Sequence, residues 1–509
     1  MEKFTARKID LEAGENKVIL NRVDANRLGL RSQSRVKLIK DKNSVTTIVE
    51  LSDTLVKKGE IGMLHQVSRK ISAEEGEELT VVPKGKPASV EHIREKLEGK
   101  ELSEHAIREI ISDITDRKLS DIEVSAYVSG VYAHGMNLRE IKDLITAMID
   151  TGDTIEFDKG PIFDHHSIGG VPGNKITLLI VPIVAAAGLL IPKTSSRAIS
   201  SAGGTADIFE VLANVTLTLS EIKDITEEIG GTIAWGGAVN LAPSDDLIIR
   251  IEYPLRVDPY ALVLSSVLSK KKATGAEYLV MDIPVGPHTK VTSLEKGRRY
   301  SRDFMALGEE IGIKVRCALS YGGQPIGDTI GPAVEAMEAM AALEGKDVPN
   351  SLIEKSTELA GMILEQGGIA DGRGKDEAVK ILNSGKALEK MKEIIHYQGG
   401  DADITSDDVE IGKHSYEFCS VDDGYVGSVN NHGIIEIVRA TGAPYRKGGG
   451  IMLNKKRGDK VEKDELLFTI YSDNEKKLKE ALKLSRHLNP LAIEGMILEK
   501  HPDYRAVWS

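Results

Sequence analysis

Hydrophobic periodicity changes twice along this chain, and each change constrains what the following residues can fold into. Up to about residue 84, apolar and polar positions alternate in short stretches, as in Lys17-Val18-Ile19-Leu20, Val36-Lys37-Leu38-Ile39, Thr46-Thr47-Ile48-Val49 and Leu79-Thr80-Val81-Val82. A period of two is the signature of half-buried strands. After the Pro/Gly-containing tract VPKGKPAS (82–89), apolar residues recur at three- and four-residue spacing to about residue 151, which predicts four short helices. Beyond residue 160, short apolar strands alternate with Gly-rich turns and helices, the pattern of an α/β sheet whose ligands gather at loops beyond the strand ends. Two further helices are expected at 332–343 and 353–366, and a strand-rich unit from about 408.

The expected fold class is therefore a multidomain α/β and α+β protein. Its parts are an N-terminal β-barrel-like unit (1–84), a helical domain (88–160, with a later segment near 243–275), an α/β domain (161–242 and 276–407) and a C-terminal α+β domain (408–509). With 509 residues the chain exceeds what one hydrophobic core usually organises. The formal net charge of −12 disfavours a protein that holds long nucleic acid, though a small anion remains a possible ligand. The apolar run 178–192 contains Pro182 and Gly188, is short for a bilayer, and reads as a buried helix. The N-terminus carries charges throughout and lacks the apolar core of a signal peptide. Cys317 and Cys419 share no ligand spacing, so a reducing cytoplasm is expected and no disulfide framework or zinc site is indicated.

Two segments carry anion chemistry. DHHSIGGVPGNKIT (164–177) is a Gly-rich turn leading into the apolar helix, where backbone amides and a helix N-terminus together make an anion cradle; an ordinary loop is the bland alternative. Within 194–205, six hydroxyl side chains, two glycines and the guanidinium of Arg197 can hold a phosphate by charge-assisted bonds. Two such clusters suggest two bound anions, one reacting and one only recognised. In the tail, NKKRGDKVEKDELLFTI (454–470) has the look of a lipoyl-domain hairpin with Lys455 or Lys456 as a modified lysine, but an unmodified structural hairpin is the preferred reading.

From about residue 88 onward the chain resembles the thymidine and pyrimidine nucleoside phosphorylase family. The resemblance is carried by DHHSIGGVPGNKIT, IPKTSSRAISSAGGTADIFE (191–210), LAPSDD (241–246), RVDPYALVLSSVLSKKKATGAEYLVMDIPVG (256–286) and GGQPIGDTIGPAVEAMEAM (322–340). It implies a helical domain packed against a larger α/β domain across a cleft, and phosphorolysis, in which phosphate attacks the anomeric carbon and frees the base. By position, the phosphate-binding pattern falls on His166, Ser167, Thr177, Ser195 and Thr205, and the base-side pattern on Ser266 and Lys270.

The departures from that pattern are informative. Pyrimidine-specific members show Lys-His before the loop serine, whereas this chain has His165-His166, and the register of their base-gripping arginine is lost around Arg250–Pro259. With the extra N-terminal unit and the SSRAISS cluster, these features resemble the archaeal AMP phosphorylase branch. That branch implies conversion of AMP and phosphate to adenine and ribose 1,5-bisphosphate, feeding a ribulose-bisphosphate route to Rubisco, with CMP and UMP as secondary substrates. It further implies substrate contacts at Gly170, Ser196, Arg197, Ala198, Ile199, Ser200, Ser201, Thr205, Ser266 and Lys290, with Asp258 as proton donor. A carboxylic acid at that point suits departure of a nitrogen base, provided burial or a neighbouring anion keeps it protonated; as a helix N-cap before Pro259, Asp258 also has a purely structural reading. Exposure in a loop is the corresponding bland reading of Lys290. The histidines His165, His166 and His288 fit no common ligand spacing, and the resemblance implies neither a required metal nor a cofactor. The terminal units carry no evident catalytic residues and are expected to serve homodimerisation or larger assembly, with no nucleic-acid polymer or membrane as partner. A pyrimidine nucleoside phosphorylase, an anthranilate-type phosphoribosyltransferase and a nucleotide-sensing assembly module are the competing readings.

Overall fold

The computed structural model describes residues 2–11, 13–198 and 201–495, so Ile199 and Ser200 lie outside the described residues. Six strands, β1 (Glu2–Ile9), β2 (Lys17–Asn21), β3 (Arg35–Lys40), β4 (Asn43–Ser52), β5 (Glu60–Leu64) and β6 (Glu78–Lys84), close into a barrel in the order β1-β5-β2-β4-β3-β6. The alternation read from the sequence points inward: Val18, Leu20, Val36, Leu38, Ile61, Met63, Leu79 and Val81 are fully buried. Each of β2 and β5 runs directly into a short helix, α1 (Arg22–Arg27) and α2 (His65–Ile71), which gives the barrel its pseudo-symmetry.

Four helices follow, α3 (Ser89–Leu97), α4 (Glu104–Thr115), α5 (Asp121–His134) and α6 (Leu138–Asp150). Ser120 and Asn137 open α5 and α6 with full capping boxes, which explains the sharp starts. The next elements are β7 (Phe163–Ser167), α7 (Thr177–Ala186), β8 (Ile191–Ser195), α8 (Thr205–Phe209), α9 (Leu219–Ile229), β9 (Gly231–Trp235), α10 (Pro243–Leu255), α11 (Tyr260–Ala273), β10 (Tyr278–Val285), α12 (Leu294–Glu310) and β11 (Lys314–Tyr321).

The chain divides into two compact units. The first contains residues 1–153 and 242–269, so the barrel and the helical bundle belong to one body. Its parts are fastened by the buried Arg35, which pairs with Glu123 and donates to the Lys118 carbonyl at 2.9 Å, and by the Asp121 N–H donating to Glu15 at 2.6 Å. The bundle core is Ile107, Ile110, Ile111, Tyr127, Val128, Leu144, Ile145 and Met148; α10 packs on α4 and α5.

The second unit contains residues 154–241 and 270–509. Two parallel sheets, β11-β10-β7 and β8-β9, are joined by a parallel bridge between Ile162 and Leu190, so all five strands point the same way. The apolar run 178–192 is not one helix: α7 stops at Ala186, Gly188 takes a left-handed φ of 89°, and Ile191-Pro192 open β8. α7 lies against a large apolar core shared with helices Pro332–Leu343 and Asn350–Gln366, and with two helices not singled out in the sequence, Gly374–Asn383 and Lys386–Tyr397. The C-terminal part is α+β: strands Thr329–Ile330, Gly450–Leu453, Leu466–Ser472 and His414–Cys419 form one sheet beside helices Asn431–Ala440 and Glu475–Leu488. Lys455 is paired with Glu465 at 2.5 Å and Lys456 with Asp328 at 3.0 Å, so both lysines of the hairpin serve structural ion pairs. Among the described residues, no helix is long and apolar enough to cross a membrane.

Candidate active site

Parallel strands deliver their carboxyl ends to one edge of a sheet, and in the second unit this edge collects the loops singled out above. His166 and Ser167 end β7, Thr194 and Ser195 end β8, and Asp282 lies near the end of β10. The loop after β7 turns through Gly169 and Gly170, both with φ near 90°. A Cβ on Gly170 would lie 2.8 Å from the Lys290 amide nitrogen, so only glycine lets the 168–176 loop touch the 286–290 turn. That contact puts Lys290, which is exposed, beside the anion loop. Thr177 is buried at the first position of α7, and Thr205 is half-buried at the first position of α8.

Beneath the loop lies a buried charge network absent from the sequence reading. Asp164 accepts from Lys271 at 2.6 Å and lies 3.3 Å from the Lys193 ammonium, which also donates to the His165 carbonyl. Asp282 accepts from the Ser167 hydroxyl at 2.6 Å and from Ser320, and sits 2.8 Å from the Lys355 ammonium. Asn174 donates to Ser167 at 2.9 Å, closing the loop on itself. Three lysines thus share two carboxylates, all five side chains nearly inaccessible to water, which leaves one positive charge in excess whenever Lys193 is protonated. Burial pushes the Lys193 amine down to about 7, partly opposed by Asp164 and reinforced by Lys271. Burial and the lysines Lys193 and Lys271 hold both His165 and His166 well below the usual histidine range, so each imidazole is neutral. The sequence signals were available: Asp164 opens DHHSIGG, Lys193 and Lys271 sit in IPKTSS and SKKKATG, and Asp282 is the lone carboxylate of an apolar strand.

Among the described residues, the buried polar groups of this unit without a hydrogen-bond partner include the Ser195 hydroxyl, both ring nitrogens of His165 and the side-chain oxygen of Asn174. Unpaired buried polar groups are costly, and a cluster of them beside excess positive charge fits an anion.

The loop following Ser195 is organised by Asp207, which accepts from the Ala198 and Gly204 amides at 2.7 and 3.0 Å. The Arg197 guanidinium, expected to face a phosphate, is forked onto Glu210 and reaches Asp207 at 3.2 Å, while its plane lies 4.6 Å over the Trp235 ring. Hydrogen bonds from Arg197, helped by Lys447, push the Glu210 carboxyl down to about 2. Arg439 donates to the Ser201 carbonyl at 3.1 Å and Lys447 to the Asp207 carbonyl at 3.2 Å, so the C-terminal part props this loop. Ser196 is exposed, and Ala198 and Ser201 are half-buried.

The remaining candidates sit in a different setting. Asp258 precedes α11 in the first unit and is exposed, so the desolvation sought for a general acid is not supplied by its own unit. Ser266, two turns into α11, donates to the buried Asp245 of α10 at 2.7 Å. Lys270, four residues on, is half-buried.

Comparison with known proteins agrees with this layout part by part. Residues 90–152 match the helical bundle domain of a glycosyl transferase family, 159–244 its a/b domain, and 425–492 the pyrimidine nucleoside phosphorylase C-terminal domain. The chain is 49% identical to the AMP phosphorylase of Methanosarcina mazei over 97% of both chains. It is 48% identical to that of Thermococcus kodakarensis over 98% of this chain and 99% of the relative. The chain belongs to the AMP phosphorylase family. AMP phosphorylase 1 of Archaeoglobus fulgidus, 48% identical over 97% of this chain and 98% of its own length, includes the N-terminal barrel in the match, so the barrel is part of the family architecture. A solved anthranilate phosphoribosyltransferase from Thermus thermophilus aligns over 60% of this chain and 99% of its own with a TM-score of 0.50, at 18% identity; this likeness is one of fold. The glycosyl transferase domains and the family together make the chain a pentosyltransferase.

Proposed function

We propose that this enzyme uses inorganic phosphate to cleave the N-glycosidic bond of AMP, releasing adenine and ribose 1,5-bisphosphate, with CMP and UMP as secondary substrates. The observation that carries the reading is the strand-end edge of the α/β unit, where the unpaired buried Ser195 hydroxyl and His165 imidazole accompany three lysines that share two carboxylates. Phosphate is held by His166, Ser167, Thr177, Ser195 and Thr205, with Lys193 and Lys271 supplying the unbalanced positive charge behind it. Neutral imidazole at His166 donates or accepts a hydrogen bond without adding charge. One phosphate oxygen forms the bond to the anomeric carbon as the bond to the base nitrogen breaks, and Asp258 gives that nitrogen its proton.

The 5′-phosphate belongs to the 196–201 segment with Gly170 and Lys290, and the base to Ser266. Arg197 reaches the 5′-phosphate only by loosening its fork on Glu210, with Lys447 left to balance that carboxylate at 2.7 Å. The sugar product would supply a ribulose-bisphosphate route to Rubisco. Both cysteines are free, as suits a cytoplasmic enzyme. The barrel and C-terminal parts are read as assembly surfaces, and a monomeric mass by light scattering would remove that part of the proposal.

The deciding experiment measures adenine release from AMP and from adenosine, each with and without phosphate, and follows the sugar by phosphorus NMR. Adenine from AMP only when phosphate is present, with a doubly phosphorylated ribose, is the expected result. Preference for adenosine or a pyrimidine nucleoside would overturn the 5′-phosphate assignment, and absence of turnover would overturn phosphorolysis itself.

A further inference from the structure

Helices α3 and α4 bring together a group of side chains that none of the chemistry above uses. His92 and Glu95 lie three residues apart on α3, and His105 and Glu109 four apart on α4, so each pair shares one face of its helix. Between the helices, the His92 Nε2 lies 3.0 Å from the Glu109 carboxylate, and the His105 Nδ1 lies 3.8 Å from the same oxygen. Ligand atoms from His92, His105 and Glu109 all fall within 4.8 Å of one another. In a tetrahedral zinc site the donor atoms stand about 3.3 Å apart, given bonds of about 2.0–2.1 Å to the metal. Metal binding would draw these donor atoms in to that spacing from the 4.8 Å within which they already lie.

Two independent observations distinguish this group from an ordinary surface ion pair. On the far side of the His92 ring, Nδ1 lies 3.3 Å from the Glu95 carboxylate, so with a metal between the helices Nδ1–H can donate to Glu95 while Nε2 offers its lone pair to the ion. Carboxylate, histidine and metal in line is the arrangement that raises ligand basicity at zinc centres. In addition, the nearby arginines are engaged elsewhere, Arg94 with Glu91 and Glu98, and Arg108 with Glu104 and Asp150. Among the described residues, the basic side chains within 4 Å of the Glu95 and Glu109 carboxylates are therefore those of His92 and His105.

We propose that His92, His105 and Glu109 form a zinc-binding site that clips α3 to α4, with Glu95 orienting His92 and water completing the coordination. Two imidazoles and one carboxylate are a borderline N/O donor set that suits Zn²⁺ over Mg²⁺ or Ca²⁺. The site is independent of phosphorolysis, since none of its residues belongs to the segments assigned to phosphate, nucleotide or base.

The test is titration of the full-length protein with Zn²⁺ against a chromophoric chelator, in parallel with His105→Ala, Glu109→Gln and Glu95→Ala. Wild type is expected to take up zinc, with His105→Ala and Glu109→Gln each losing one equivalent or weakening it at least tenfold, and Glu95→Ala weakening it by about tenfold. Zinc should raise the thermal midpoint of wild type and leave that of His105→Ala unmoved, while adenine release stays the same in both. His105 is largely exposed, so its removal spares the core. Zinc binding that is absent in wild type, or equal in wild type, His105→Ala and Glu109→Gln, overturns the site; equal uptake of Mg²⁺ overturns the assignment of the metal.

Discussion

The loop edge of the α/β unit and the start of α11 contrast in how their functional candidates are held. At the loop edge, Ser167, Lys193, Lys271 and Lys355 are locked by two buried carboxylates, and Gly170 packs directly on the turn that carries Lys290. At the start of α11, Asp258 is exposed, and further along the same helix Ser266 donates to the buried Asp245. A nucleophile that is itself an anion needs a fixed, desolvated positive cradle before it arrives. A general acid needs its environment only when the leaving group departs, so its surroundings can be completed by substrate.

Removing the Asp258 proton breaks the comparison hardest. Asp258→Asn should lower turnover with AMP by about two to four orders of magnitude while AMP binding stays within several-fold, as measured by initial rates and equilibrium titration. Unchanged turnover would leave α11 with only its structural role. Arg197→Ala comes next: loss of charge-assisted bonds should raise the KM for AMP by roughly ten- to a hundredfold, with far less change for adenosine. Equal loss for both substrates would mean that Arg197 only props the loop through Asp207 and Glu210.

Lys193→Met sharpens the other side of the contrast, because Asp164 keeps Lys271 and the pocket loses only its excess charge. The KM for phosphate dianion should rise by about tenfold with kcat less affected. The sign of the pH effect follows from the amine at about 7: below it Lys193 is charged and attracts the dianion, and as pH rises through it that attraction fades. Affinity for the dianion should therefore fall above neutrality in wild type and be flat in Lys193→Met. The smallest effect belongs to Gly170→Ala, where a side chain at φ 89° crowds the Lys290 amide. A few-fold rise in the phosphate KM and a loss of about 1–2 kcal/mol in unfolding free energy are expected.

Much of this arrangement is legible in the residues. The period of two marked β2, β3, β4 and β6, and the linker before α3 marks the change to helices. The anion loops were readable because glycine and hydroxyl residues have local meaning, and the helices Pro332–Leu343 and Asn350–Gln366 because they are rich in apolar, helix-favouring residues. Gly374–Asn383 and Lys386–Tyr397 were not singled out, although Ala378, Ile381 and Leu382, and Ala387, Met391, Ile394 and Ile395, recur at helical spacing and are buried. Arg197 was expected to be available to a phosphate, yet its partners Asp207 and Glu210 lie one helix further along and meet it only in three dimensions.

By itself the sequence determined the order of barrel, bundle, α/β and α+β parts, the loops that can cradle an anion, and the family motifs, because each depends on residues close together along the chain. Only tertiary structure decided which charges are paired. Asp164 meets Lys193 and Lys271 from 29 and 107 residues away, and Ser167 meets Asp282 from 115. Coulomb energy depends on separation in space and on burial, and neither quantity is written in the spacing along the chain.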